Sequence, residues 1–139
     1  MKGRISAEAE RIMKERFGKD TVIALATEAG GTPSVRYVNA FYDSGCFYVV
    51  THALSNKMRQ LRENPKAAIA GEWFTAHGKG LNLGRFGSAE NQRLAQTLRE
   101  VFAAWIDNGH MDLNDENTVI LCIELTDGLL LSHGRRYEL

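Results

Sequence analysis

Ser55, Asn56 and Lys57 stand together where a short helix begins, and Arg36 stands in the middle of an earlier strand. A helix start offers unpaired N–H groups and the positive end of a dipole. Ser55 and Asn56 add neutral hydrogen-bonding groups, and Lys57 adds a charge. A mid-strand arginine needs either an exposed face or an anionic partner. Together these groups suit a phosphate. The plainer reading of the same residues is that Ser55 only caps the helix, Lys57 is solvated and Arg36 faces water. On these residues alone both readings stand.

Other chemistries find less support. His52, His77, His110 and His133 have neither the spacing of a helical zinc motif nor an accompanying carboxylate cluster, so no metal site is expected. There is no G-x-S-x-G, no nucleophile with a base beside it and no recognisable carboxylate pair, so nothing nominates a hydrolase. Gly78, Gly80 and Gly84 do not form G-x-G-x-x-G, and Gly71 to Gly78 is too long a gap for a phosphate loop. These glycines read as turn and bulge positions.

The stretch Pro33 to Pro65 must position the candidate groups. Val35, Tyr37 and Asn39 alternate with Arg36, Val38 and Ala40, the period of a half-buried strand. Asp43-Ser44-Gly45 supplies a tight turn. Cys46 to Thr51 is a second strand, nearly all β-branched or aromatic. Ser55 is expected to cap the following helix through its hydroxyl, Met58 and Leu61 form its apolar side, and Asn64-Pro65 ends it.

R-Y-V on one strand, F-Y-V-V-T on the next, then S-N-K, L-R-E-N-P and A-A-I-A resemble, in order and spacing, the pyridoxamine 5′-phosphate oxidase-related flavin-binding split barrels. The resemblance covers Val22 to Phe74 and rests on the ordered combination, since no single motif is specific. It implies a homodimeric barrel with FMN at the dimer interface. It also implies that Arg36, Tyr37, Val38 and Asn39 line the flavin, that Val50 and Thr51 touch it, and that Ser55, Asn56 and Lys57 hold the phosphate. Backbone N–H groups along Arg36 to Asn39 would face the ring edge, and Arg36 would serve either the reduced ring or the phosphate. Trp73 is a candidate cover for the ring from either subunit, and Trp105 a candidate part of the flavin pocket; ordinary packing is the alternative for both. His52, just after the flavin-lining strand, reads as a strand end in water, with a flavin hydrogen bond or haem ligation as alternatives.

Composition narrows the class. The 139 residues suit one domain spanning 1–139, and 44% hydrophobic residues suffice for an ordinary core. Seventeen basic and seventeen acidic residues balance, which argues against a general nucleic-acid or membrane-surface protein. No apolar run has the length of a membrane span, and the N-terminus lacks the apolar core of a signal peptide. Cys46 and Cys122 are far apart in sequence and read as buried thiols of a cytoplasmic protein.

The remaining chain reads as follows. Ser6 caps a first helix with an Ile12, Met13, Phe17 stripe, stopped by Gly18 and lying across the outside of the barrel. Thr21 to Thr27 and Ala67 to Phe74 are strands, the second carrying Trp73, and Gly71 marks a bulge or close approach. Thr75 to Gly80 is a loop before a short strand at Leu81 to Phe86. Ser88 caps a long helix, Ala89 to Asp107, with Leu94, Leu98, Val101, Phe102 and Trp105 on one face. Thr118 to Leu125 is a strand buried on both faces. Thr126-Asp127-Gly128 turns it back into Leu129 to Ser132. Six or seven strands, mostly joined by tight turns, favour an antiparallel, mainly β split barrel with flanking helices.

The expectation is therefore an FMN-dependent oxidoreductase, a cytoplasmic homodimer taking electrons from a reduced nicotinamide or similar donor, with an unknown small-molecule acceptor. The alternative is a non-catalytic binding or sensor protein for a flavin, a deazaflavin or haem. True vitamin oxidases of this family end in an arginine-rich segment. This chain ends HGRRYEL, so vitamin oxidase activity is not expected.

Overall fold

A computed structural model describes residues 5–139. The first helix, α1 (Ala7–Phe17), starts where Ser6 accepts a hydrogen bond from the Ala9 N–H at 3.1 Å. Its stripe does not lie on the outside of the barrel. Met13 and Phe17 are fully buried, and the Phe17 ring meets Phe47 and Phe74 at centroid distances of 5.6 and 5.2 Å. The helix thus plugs one end of the barrel, and burying Phe17 alone contributes about 2–3 kcal/mol. Gly71 makes room for that ring: a Cβ there would lie 2.9 Å from it, the close approach its position in a strand suggested.

Seven strands follow: β1 (Thr21–Ala29), β2 (Thr32–Asp43), β3 (Cys46–His52), β4 (Lys66–Gly71), β5 (Phe74–Arg85), β6 (Thr118–Ser132) and β7 (Arg135–Glu138). All pairings are antiparallel, in the order β3-β2-β1-β4-β5-β6-β7, and a β3–β6 pairing closes the first six strands into a barrel. Ile23, Leu25, Val38, Phe47, Val49, Ile69, Leu121 and Ile123 fill its interior. The helix α2 (Asn56–Glu63) joins β3 to β4, and α3 (Gln92–Val101) packs outside, over Val50 and Ile120. Residues 118–123 of β6 are therefore buried on both faces, inward in the barrel and outward under α3, as the apolar run required.

Four boundaries differ from the sequence reading. Thr75 to Gly80 is not a loop but part of one long β5. Gly78 sits there at a register shift, with Glu124 O 2.8 Å from where its Cβ would be. Thr126-Asp127-Gly128 does not turn. It continues β6, and Gly128 lets that strand pass Ala76 and Thr75 closely. The actual turn is His133-Gly134, which leads into β7. Trp73 lies not in a strand but in the two-residue turn between β4 and β5, at φ +52°. The helix expected to reach Asp107 ends at Val101. Beyond it the chain tightens into turns that keep Phe102 and Ile106 buried, and Ser88 makes no side-chain cap bond to the short 3-10 turn it precedes.

Candidate functional site

The barrel is split between two of its strands. β2 and β3 pair only through Phe41–Asp43 and Cys46–Tyr48, while on its other edge β3 pairs with β6 from Cys46 to His52. From Thr32 to Ala40, β2 pairs with β1 alone. One edge of β2 around Arg36 to Asn39 thus carries backbone N–H and C=O groups with no strand beside them, a polar edge that needs a partner.

The start of α2 lies at the wide end of this split. Ser55 has extended backbone and its carbonyl accepts from Arg59 N–H, opening the helix. Its hydroxyl does not cap, contrary to expectation: Ser55 Oγ is buried without a hydrogen-bond partner among the described residues. A buried hydroxyl left unpaired is costly, and this one, closed off from solvent, would have to turn outward to meet a ligand. Asn56 is exposed and accepts from Arg59 Nη2 at 2.8 Å. Lys57 is half-buried. Burial, and then the charge of Arg36, hold its ammonium below the usual lysine range.

Arg36 has neither of the surroundings anticipated for it. Its guanidinium is half-buried and held by neutral acceptors: Leu25 O at 3.2 Å, Thr27 Oγ1 at 2.9 Å and Gln60 Oε1 at 2.9 Å. Thr27 also donates to Gln60 Oε1 at 2.6 Å, and Gln60 Nε2 donates to Ser34 Oγ. Desolvation lowers the Arg36 pKa. Among the described residues, no carboxylate forms an ion pair with either Arg36 or Lys57. Two neighbouring cations, a helix N-terminus and a hydroxyl without a partner among the described residues are groups of the kind that suit an anion.

At the narrow end of the split, Asn39 Nδ2 donates to Asp20 Oδ1 at 3.0 Å, and Trp105 Nε1 donates to Asp20 Oδ2 at 3.0 Å. Trp105 packs against Phe102 with ring centroids 4.9 Å apart. Val38 points into the barrel core, Val50 lies under α3 and Thr51 is buried. Tyr37 faces outward and is 80% exposed. Trp73 is also exposed but lies at the opposite end of β4 from the Thr27–Gln60 contact, away from Lys57 in the same chain. The structure therefore brings Arg36, Ser55 and Lys57 together, and Asn39 with Trp105, but leaves Trp73 apart.

Three contributors escape the sequence reading. Thr27 had a signal: it is the polar residue in the inward phase Ile23, Leu25, Thr27. Gln60 had one too, lying three residues after Lys57 on the same helix face. Asp20 had none, because its partners lie on β2 and beyond α3. A cavity of about 750 Å³ lies beside α1 and reaches Asp20, and its lining is mainly charged, which offers a flat apolar ring little to bury against.

Solved structures share the fold. The chain is similar to a FAD-binding protein from Mesorhizobium loti (TM-score 0.68, 15% identity, covering 97% of this chain and 96% of that one). It is also similar to a NimC/NimA family protein from Clostridium acetobutylicum (0.65, 23%, 94% and 93%). A haem-binding protein from Mycobacterium smegmatis matches at 0.69 and 17% identity, over 99% of this chain and 59% of the other. Among curated proteins none matches. The family described as pyridoxamine 5′-phosphate oxidase matches residues 9–129, most of the chain, and this protein belongs to that family.

Proposed function

We propose that this protein is an FMN-binding flavoprotein that works as a homodimeric oxidoreductase, passing hydride or electrons from a reduced nicotinamide or similar donor to a small-molecule acceptor. The observation that carries the reading is the anion site at the start of α2: Ser55 Oγ buried and unpaired, beside two half-buried cations without carboxylates. A phosphate ester supplies the acceptors that these groups lack. Lys57 and the α2 N–H groups would bind it, and Ser55 Oγ–H would donate to it. Arg36, already fixed by three neutral acceptors, would hold positive charge between the phosphate end and the ring end. The unpaired edge of β2 would meet the polar edge of a flat ring. When bound, FMN supplies the redox chemistry; the chain supplies position, hydrogen bonds and charge. Family membership and the FAD-binding neighbour support a flavin.

The outer face of β1, β2 and β4 suits a second copy of the chain. Ala24, Ala26, Ala68 and Ala70 give it a low floor, and Val22, Val35 and Tyr37 stand on it at 56, 70 and 80% exposure. Small residues allow close approach, and apolar surface of this extent on a sheet face marks an interface. Tyr37→Glu is expected to give monomers on light scattering. Such a dimer would also give Trp73, distant from Lys57 in its own chain, a route to the partner's flavin.

A second reading, a haem-binding protein, has one observation behind it. His52 Nδ1 accepts from Leu54 N–H at 3.2 Å, which directs Nε2 of this exposed residue outward as a ligand. A visible spectrum after incubation with FMN and desalting separates the two. Retained flavin bands at one per chain support the FMN reading. A Soret band after haem addition, with no flavin retained, replaces it by the haem reading.

A further inference from the structure

We infer that Asp20, which no motif singles out, is the positioning residue for the ring end of the ligand site. The inference rests on the flavin reading above. Asp20 is half-buried and immediately precedes β1. Its two carboxylate oxygens are divided between two chain segments: Oδ1 takes the Asn39 amide and Oδ2 the Trp105 indole, both at 3.0 Å. Asn39 belongs to the unpaired stretch of β2, and Trp105 to residues 102–117, which contain no helix or strand beyond α3. Backbone bonds from the Trp105 and Ile106 N–H groups to Phe102 O fix the turn around the indole, and the Asp20 bond anchors its polar edge. The Asp20 tie holds the indole against the narrow end of the split. It also sets the amide: with Nδ2 given to Asp20, Asn39 Oδ1 turns away as an acceptor for a ring N–H. Arg36 lies three residues along β2, about 10 Å away, with its side chain on the opposite face of the strand, so the unpaired backbone edge between the two would run along the ligand. The separation matches a ligand with an anionic group at one end and a flat heterocycle with an N–H donor at the other. Asp20 thereby selects for the ring, and Lys57 for the anion.

The test uses the full chain carrying Trp73→Phe, which leaves Trp105 as the only tryptophan. FMN and riboflavin are each titrated, and Trp105 emission and flavin fluorescence are read. Asp20→Ala is expected to raise both dissociation constants by the same factor, about tenfold, as loss of one or two hydrogen bonds would. It is also expected to reduce the quenching of Trp105 at saturation, and Asp20→Glu to restore part of it. Asp20→Ala combined with Trp105→Phe should weaken binding no more than the stronger single variant. In the flavin-free protein, acrylamide should quench Trp105 at least twofold more readily once Asp20 is removed. Unchanged acrylamide quenching overturns the tie itself. Dissociation constants within twofold of the parent, or a loss confined to FMN, overturn the positioning role while leaving the flavin reading intact. A parent protein that binds neither flavin overturns both.

Discussion

Replacing Lys57 by alanine separates phosphate recognition from ring recognition. Lys57 is half-buried beside Arg36 with no carboxylate partner among the described residues, so its charge is available to a ligand. A hydrogen bond to a charged group contributes about 1.5–3 kcal/mol. At 1.4 kcal/mol per factor of ten, FMN affinity should fall about 10- to 150-fold. The lower part of that range is expected, because removing Lys57 also relieves its repulsion with Arg36 and its own desolvation. Riboflavin lacks the phosphate and should bind within two- to threefold of the parent protein. The assay is quenching of flavin fluorescence on titration of flavin-free protein, at about 50 mM salt, where screening is modest. A pH series adds an independent arm. The phosphate dianion binds the protonated ammonium, so FMN affinity should be level above the second phosphate pKa of about 6 and fall as pH rises through the Lys57 pKa. Burial and Arg36 lower that pKa, so the fall begins below the usual lysine value of 10.5. Riboflavin should show no such fall. Equal losses for both ligands on Lys57→Ala, or parallel pH profiles, would refute the phosphate role.

Three further outcomes are expected. Arg36→Met removes the bonds to Leu25 O, Thr27 Oγ1 and Gln60 Oε1 but leaves Thr27 paired with Gln60, so urea unfolding should report a loss of about 1–2 kcal/mol together with weaker FMN binding; an unchanged midpoint and affinity would make Arg36 a bystander. Gly78→Ala places a Cβ 2.8 Å from Glu124 O at the β5 register shift and should destabilise by about 1–3 kcal/mol, again read by urea; neutrality would mean that the strands part freely there. Cys46 and Cys122 lie diagonally on β3 and β6, and hydrogen bonding from Cys122 foremost, then Tyr48, pulls the Cys46 thiol down to about 7 against the opposing effect of burial. Alkylation of Cys46 should therefore rise through pH 7 while Cys122, pushed up, stays unmodified, and Cys122→Ala should move the Cys46 midpoint upward; mass spectrometry of both thiols checks this.

The parts of the fold written in short-range pattern were legible, and those set by contact between distant segments were not. The alternation through Arg36, Val38 and Ala40, the Asp43–Gly45 turn and the Met58/Leu61 face all appear where periodicity places them. Turn chemistry misled at Asp127-Gly128 and Gly78-Lys79-Gly80, where glycine serves close strand passage, which no local window distinguishes from a turn. The α3 helix ends at Val101 although Phe102 and Ile106 keep both helical spacing and burial, so the hydrophobic pattern runs on past the break and hides it. At the candidate site, the juxtaposition of Arg36 with Lys57 followed from the strand–turn–strand–helix order. The unpaired hydroxyl of Ser55 did not, since a serine at a helix start almost always reads as a cap. Cys46 and Cys122 looked unrelated because only barrel closure makes their strands neighbours.

The long β6 has a consequence for the order in which the molecule is made. It is paired with β3, β5 and β7 at once, and its apolar run is covered on both faces. Everything before it, including α3, leaves the ribosome first. Until β6 arrives, β1 to β5 can form only an open sheet, with the outer edge of β3 unpaired and α3 lacking Ile120, part of the floor it packs on. Ring closure then joins strands distant along the chain, a slow step for any topology. Amides of residues 119–123 should accordingly exchange with solvent only through global unfolding, whereas those of residues 102–117 exchange by local opening. A nascent chain halted before Thr118 would expose an aggregation-prone edge at β3, the strand that β6 later covers.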